Sequence, residues 1–355
     1  MNFEEIVDLA VNKKASDVHF SSNLPVFLRV HGTLAPLENV VFNNQNIQDF
    51  LVKILRPEQQ QTLQKERQVD FLAIAKNNVR LRGNAFFQNN GLAAAFRIIP
   101  NQIPDLFDLG FPQFFYDKVL NIKRGFVLFV GATGEGKSTT LAAILKKRLQ
   151  NKAEHIITVE DPIEYIIPPG KGIIQQRELL HDVNHFRDGI KSALREDPDT
   201  MMVGEMRNLE TISSALTMAE TGHLVFSTLH TNSGPETINR IIDVFPGDQQ
   251  SQIRSQLATA LTMIVAQKLI PVNNGTSRVL AYEILTSNYA IKNYIRQNKI
   301  FQIPNAQQTD SSGTMVIIEQ SLAGLVQAGK ITKEIAFNYC HDSEQLKSIF
   351  DINGI

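Results

Sequence analysis

The chain has 355 residues, with 35 Lys plus Arg against 36 Asp plus Glu and 43% hydrophobic content. That length suffices for two or three domains with real cores, and the balanced charge excludes a net basic field that would draw the whole molecule to nucleic acid or anionic lipid. One cysteine, Cys340, rules out an intramolecular disulfide and any multi-cysteine zinc module, which fits a reducing compartment.

The N-terminal MNFEEIVDLAVNKK carries an apolar helical stripe (Phe3, Ile6, Val7, Leu9, Ala10) broken by acids, so it does not read as a signal peptide. No run approaches the roughly 18 apolar residues of a membrane span. A cytosolic chain is expected, with membrane contact only through partners. Alternation in DVHF and again in VFLRV predicts a hairpin over residues 16–32. A polar-rich helical region follows over residues 45–65, interrupted at Arg56-Pro57. VDFLAIA, NVRLRGNAFFQ and GLAAAFRII then read as three strands with turns at Asn77-Asn78 and Asn89-Asn90-Gly91. Residues 1–99 are expected to form a small α+β domain on an antiparallel sheet. Pro100 and Pro104 bracket a predicted linker over residues 100–111.

From residue 112 strands are followed by helices, the pattern of a mainly parallel sheet covered on both faces. Strands are expected at 126–130, 155–159, 200–203 and 223–229, and helices at 139–149, 184–196, 209–220 and 247–268. Residues 112–270 form this α/β domain in our reading. Residues 271–355 carry a short strand near VLAYEIL and are otherwise mostly helical.

Residues 125–141 read GFVLFVGATGEGKSTTL. Gly131, Ala132, Thr133, Gly134, Glu135, Gly136, Lys137 and Ser138 fit G-x-x-x-x-G-K-[ST] between a bulky apolar run and a run of helix formers that opens with Thr139, as a phosphate cradle requires. Glycines let successive N–H groups converge on phosphate oxygens, and the helix N-terminus adds partial positive charge. Lys137 would reach the outer phosphates and Ser138 would hold Mg²⁺, so ATP and Mg²⁺ are the expected cofactors.

Ligands of a parallel sheet bind beyond the carboxyl ends of its strands. There the chain places Glu160-Asp161-Pro162-Ile163-Glu164 and Gly204-Glu205-Met206-Arg207. Glu205 is the stronger candidate for a general base or water-positioning group, Glu160 the weaker. His223 and His230 flank the last strand, and the residues alone leave a phosphate sensor and a structural role equally open. His181 and His185 stand at i, i+4, but no glutamate follows the first, so they read as surface histidines. Arg80, Arg82 and Arg97 lie in strands of the first domain. They read either as a solvated, salt-bridged face or as the positive charge that a neighbouring subunit brings to a phosphate site.

The ordered set ASDVHF, GATGEGKST, ITVEDPIEY, ALREDPD, VGEMR, TGHLVFSTLHTNS and INRIIDVFP resembles the type IV pilus retraction ATPases, within the wider secretion ATPase superfamily. The resemblance covers nearly the whole chain. It implies a PAS-like N-terminal domain, a RecA-like ATPase domain and a homohexameric ring with ATP between domains and neighbouring subunits. It also implies an inner-membrane pilus platform protein as partner and a possible retraction ATPase paralogue; no nucleic-acid partner is expected, given the near-neutral charge and six tyrosines without tryptophan. By the same resemblance Lys137 and Ser138 belong to the Walker A motif, Glu160, Asp161 and Glu164 to an acidic box, Glu205 to an atypical Walker B motif with Arg207 beside it, and His223 and His230 to a histidine box. Arg82 and Arg97 match arginines that reach nucleotide in the ring. Two departures stand out: Asn208 follows VGEMR where the family carries Asp, and AIKNYIRQ at residues 290–297 replaces AIRNLIRE, the family's retraction-specific C-terminal motif. Extension ATPases carry a longer N-terminal region and a tetracysteine zinc module, and resemble the chain less. The rival readings are an accessory paralogue that assists a main motor, and a RecA-like nucleic-acid motor.

Overall fold

A computed structural model describes residues 1–30, 32–99, 102–273 and 277–355. Pro100, where the predicted linker begins, lies outside the described residues. The chain divides into two units, Met1–Gln102 and Ile103–Ile355.

The first unit runs α1 (Phe3–Asn12), β1 (Ala15–Ser21), β2 (Leu24–Val30), β3 (Thr33–Phe42), α2 (Asn44–Ile54), α3 (Pro57–Glu66), β4 (Gln68–Ile74), β5 (Arg80–Gln88) and β6 (Gly91–Ile99). Asn2 starts α1 through a reciprocal cap with Glu5, and the stripe Phe3, Ile6, Val7 and Ala10 is buried. The sheet order is β3-β2-β1-β6-β5-β4, antiparallel at every pair. One face packs on an aromatic cluster in which Phe3 stacks on Phe50 at 4.8 Å and Phe20 meets Phe96 edge-on at 5.8 Å. β3 escaped the sequence reading. It is a sheet edge with nearly every residue exposed, so no alternation of buried positions marks it, and an edge tolerates its Pro36.

The second unit runs α4 (Gln113–Asn121), β7 (Gly125–Val130), α5 (Lys137–Asn151), β8 (His155–Glu160), β9 (Ile173–Glu178), α6 (Phe186–Ala193), β10 (Thr200–Val203), α7 (Leu209–Glu220), β11 (Leu224–Leu229), α8 (Gly234–Asp243) and α9 (Gln250–Ala260). It continues with β12 (Leu261–Pro271), β13 (Arg278–Thr286), α10 (Tyr289–Arg296), α11 (Ile303–Gln308), α12 (Ile318–Gln327), α13 (Lys333–Tyr339) and α14 (Ser343–Asn353). The sheet order is β13-β12-β7-β11-β10-β8-β9. Only the β12–β13 pair is antiparallel. β7 is central and fully buried, with Phe126, Leu128 and Val130 in one core cluster and Val127 and Phe129 in the other. The strand period of two thus feeds both faces, which is why this segment reads as an unbroken apolar run. The α/β class with its smaller antiparallel domain is the one expected.

The expected helix over residues 247–268 is corrected. α9 ends at Ala260, and Leu261 turns to extended dihedrals, φ −60° and ψ 128°, to begin β12. LTMIVAQKLI is apolar on both faces because β12 is an interior strand, so it lacks the alternation that would have betrayed it. β9 was also missed, as a short and largely polar sheet edge.

A buried carboxyl fastens α8 to the antiparallel edge. Glu283 of β13 accepts from the Gly234 N–H at 2.8 Å, and burial pushes its pKa from 4.5 to about 7. The folded state therefore holds this proton more tightly than the unfolded chain. The stability it contributes is intact below pH 4.5 and is lost as pH rises through about 7. Glu283→Gln keeps the acceptor for Gly234 and removes the charge. Urea denaturation should show the variant more stable than the parent by about 1–3 kcal/mol at alkaline pH and nearly equal to it in acid; a difference independent of pH would contradict this.

Candidate nucleotide site

The site begins where β7 ends. Gly131 takes φ +144° and passes so close to β12 that an added Cβ would lie 2.5 Å from the Gln267 carbonyl oxygen, so no side chain fits there. The loop then curls through positive φ at Gly134 and Gly136 into α5. Gly136 gives α5 no side-chain cap, so the N–H groups of its first turn are open to an external acceptor. Lys137 is 7% exposed. Its Nζ donates to the carbonyls of Gly131 at 2.7 Å and Ala132 at 2.9 Å, and burial holds its pKa below the usual lysine value. A desolvated ammonium beside open amides is a strong anion receptor.

Register fixes which strand ends face this loop. Val130 is level with Leu229 of β11, Ser227 of β11 with Val203 of β10, and Val203 with Val159 of β8. Glu160, Glu205 and His230 therefore all emerge at the P-loop edge. Glu160 is buried, accepts from Thr158 Oγ1 at 2.7 Å and from Gln176 Nε2 at 3.0 Å, and burial pushes its pKa to about 7. Glu205 is reached by Arg207 Nη2 at 2.6 Å and His230 Nε2 at 3.6 Å. The Arg207 approach is close but too poorly directed for a hydrogen bond, leaving Glu205 Oε1 shielded from water without a hydrogen-bonded donor. Asp161 and Glu164 follow Glu160 in the chain and are exposed, and the Glu164 charge is felt at both Lys137 and Glu160.

The remaining predicted residues divide. Ser138 and Thr139 lie in the first turn of α5, with Thr139 Oγ1 against the Tyr165 hydroxyl at 2.9 Å. His223 is not brought to the loop: it precedes β11 and its carbonyl accepts from the Gly125 N–H, at the opening of β7. The six residues of β11, Leu224–Leu229, separate it from His230, a span of about 20 Å in extended chain. Its Nδ1 lies 3.1 Å from Thr221 Oγ1 and 3.2 Å from the Met218 carbonyl. Arg82 and Arg97 belong to the first unit, as cross-strand partners on β5 and β6. Arg97 donates to Asp17 at 2.9 Å, while Arg80 is buried. His181 sits 2.6 Å from Asp182. Asn208 caps α7 by accepting from the Thr211 N–H at 2.9 Å, a task the family's Asp would perform with an added charge.

Sequence reasoning missed the supports on β12. Gln267 is buried and donates through Nε2 to Thr140 Oγ1 at 3.0 Å. The Leu269 N–H donates to Glu135 Oε2. Both contacts span more than a hundred residues, and only the polar Gln267 inside an apolar run hinted at them.

A glycine cradle joining a buried parallel strand to an uncapped helix, with carboxylates converging from two neighbouring strand ends, defines a P-loop nucleoside triphosphatase. The chain belongs to the type II/IV secretion system protein family, whose profile matches residues 2–348, and it is an ATP hydrolase of that family. It is 41% identical over 336 residues to the type IV pilus retraction ATPase PilT of Pseudomonas aeruginosa, covering 95% of this chain and 97% of that one. It is 34% identical over 354 residues to the type IV pilus ATPase PilU of the same organism, covering 100% and 92%. The crystal structure of the pilus retraction motor PilT with bound ADP superposes with a TM-score of 0.90 at 40% identity, covering 98% of this chain and 99% of that one.

Lys137→Ala removes the receptor's charge while leaving the loop's glycines in place. Equilibrium titration with ADP should show binding weakened on the order of a hundredfold or more; unchanged affinity would place the phosphates elsewhere.

Proposed function

We propose that this ATP hydrolase is the motor of type IV pilus retraction, working as a homohexameric ring that couples hydrolysis to pilin disassembly. The observation that carries the reading is the end-to-end match in sequence and fold to the PilT retraction motor, first unit included. In this reading residues 1–99 are the PAS-like domain, 112–270 the core of the RecA-like domain and 271–355 a mostly helical C-terminal region whose first strand, β13, extends the same sheet. Of the stretch expected as a linker at 100–111, the residues from Ile103 on belong instead to the second unit, with Leu106 and Phe111 in its core. The partner at the inner membrane is a pilus platform protein, and the chain works from the cytoplasmic side. Among the described residues no helix is long and apolar enough to cross a membrane.

The chemistry follows from the side chains. Lys137 exchanges its two carbonyl partners for phosphate oxygens, and the first-turn amides of α5 receive the same group. Mg²⁺ fits the donor set: the described residues offer no cluster of three or more metal-ligating side chains, but one hydroxyl, Ser138, beside phosphates and water is a common arrangement for this ion. When bound it neutralises charge developing on the transferred phosphoryl group. Glu205, shielded and flanked by His230 and Arg207, accepts the proton of the attacking water or aligns it. Burial raises the Glu160 pKa, so this carboxyl holds a proton more readily than an exposed one and is suited to exchanging it with a water-held network. Positive charge opposite the cradle comes from Arg82 or Arg97 of a neighbouring copy, which makes an isolated protomer a slow enzyme.

A second reading, the accessory paralogue, has the full-length match to PilU in its favour. The altered α10 motif bears on it. Ile291 and Ile295 hold the helix to the core, whereas Lys292 and Tyr294 are half-buried, so the substitutions change how the helix meets its surroundings without unseating it.

Glu205→Ala should bind ATP as the parent does and release phosphate about 10²- to 10⁴-fold more slowly. Nucleotide titration alongside phosphate-release kinetics measures both, and normal turnover would remove Glu205 from the chemistry. Cells carrying this variant as their only copy should keep their pili and lose twitching. Normal twitching with the inactive protein would favour the accessory reading.

A further inference from the structure

Glu135 stands in the loop immediately before Gly136 and Lys137, the stretch whose amides converge on phosphate, and a fixed negative charge opposes such a ligand. The carboxylate is tied outside the loop: Oε2 accepts from the Leu269 N–H of β12. It is half-buried, and among the described residues it forms no ion pair with an arginine or lysine. Its charge still reaches the cradle. Of the acids surrounding Lys137, Glu135 acts on that ammonium most strongly, ahead of Glu164 and Glu205.

Two roles are therefore combined in one side chain. The bond to Leu269 fixes the loop against β12, next to the close approach of Gly131 to Gln267. Any acceptor of the right length would do this. The negative charge is not needed for the anchor, and it offsets part of the attraction Lys137 has for phosphate.

We propose that Glu135 is an electrostatic counterweight in the cradle, a residue that lowers the affinity for nucleoside diphosphate and so speeds clearance of the product between turnovers. This rests on the nucleotide site described above. The anchor keeps the carboxylate at a fixed place, so the offset is built into the loop and does not relax when a ligand arrives. A diphosphate gains less than it would in an uncharged cradle, and the cost falls on a bound state that must be emptied in every cycle.

The two roles separate by substitution. Glu135→Gln keeps an oxygen acceptor for Leu269 and deletes the charge, while Glu135→Ala deletes both. ADP is titrated with excess Mg²⁺ into the full-length protein and the two variants, at low and at high salt. The glutamine variant should bind ADP on the order of tenfold more tightly than the parent at low salt, with the gap narrowing at high salt as screening removes the charge effect. The alanine variant should bind less tightly than the glutamine variant. Product inhibition of steady-state turnover should deepen in Glu135→Gln to the same degree. Equal or weaker ADP binding by Glu135→Gln overturns the counterweight and leaves the nucleotide site standing. If the parent and the glutamine variant alike fail to bind ADP, the site itself is misassigned and the proposal falls with it.

Discussion

A buried ammonium answered by two backbone carbonyls is the constraint on which the larger unit depends. Lys137 is nearly closed off from water, and among the described residues its hydrogen-bond partners are the carbonyls of Gly131 and Ala132 in its own loop. Such a charge is tolerated because the loop is held from outside. β7 supplies a rigid start, α5 a rigid end, and β12 a wall against which Gly131 and Glu135 are set. An anion that replaces the carbonyls gains a desolvated partner without reorganising the site, the condition under which electrostatic stabilisation of a phosphoryl group is most effective. The antiparallel β12–β13 edge thus does more than close the sheet. It backs the cradle on one side and, through Glu283 and Gly234, holds the helix that follows His230.

Legibility of this arrangement in the sequence depended on how local each contact is. The cradle motif is a run of eight residues from the end of β7 into the first turn of α5, so its strand–loop–helix setting is a local pattern that the sequence displays. β7, β8, β10 and β11 were readable because buried parallel strands are apolar runs that end in polar residues at the ligand edge. β12 was not, since an interior strand apolar on both faces has no period to distinguish it from a helix. Its contacts to Thr140 and Glu135 join segments far apart in the chain and leave no local trace. β3 and β9 are edges, where half the backbone pairing is absent and side-chain pattern is relaxed. The histidines mark another limit: His223 and His230 are seven positions apart in sequence, but they flank the two ends of one extended strand, β11.

The first unit presents a different chemistry. Its inner face is an aromatic core, and its other face carries a row across neighbouring strands in which Arg29, Asp17, Arg97 and Arg82 are successive cross-strand partners. Asp17 engages Arg97 directly, whereas Arg82 is exposed with no ion pair among the described residues. One carboxylate among three guanidinium groups leaves the row net positive, the complement of the triphosphate that the second unit binds. A ring in which each copy offers this row to its neighbour's cradle would make hydrolysis conditional on assembly and tie each turnover to a subunit contact.

Complementation between subunits tests that claim most directly. One preparation carries Lys137→Ala, with a defective cradle and intact arginines, and the other carries Arg82→Ala with Arg97→Ala, with an intact cradle and defective arginines. Each should be nearly inactive alone, and mixing them under exchange conditions should restore phosphate release by building some interfaces from two intact halves. If the mixture stays as inactive as its components, or if the arginine variant hydrolyses ATP at the parental rate by itself, the site is complete within one protomer and the account of a shared pocket is contradicted.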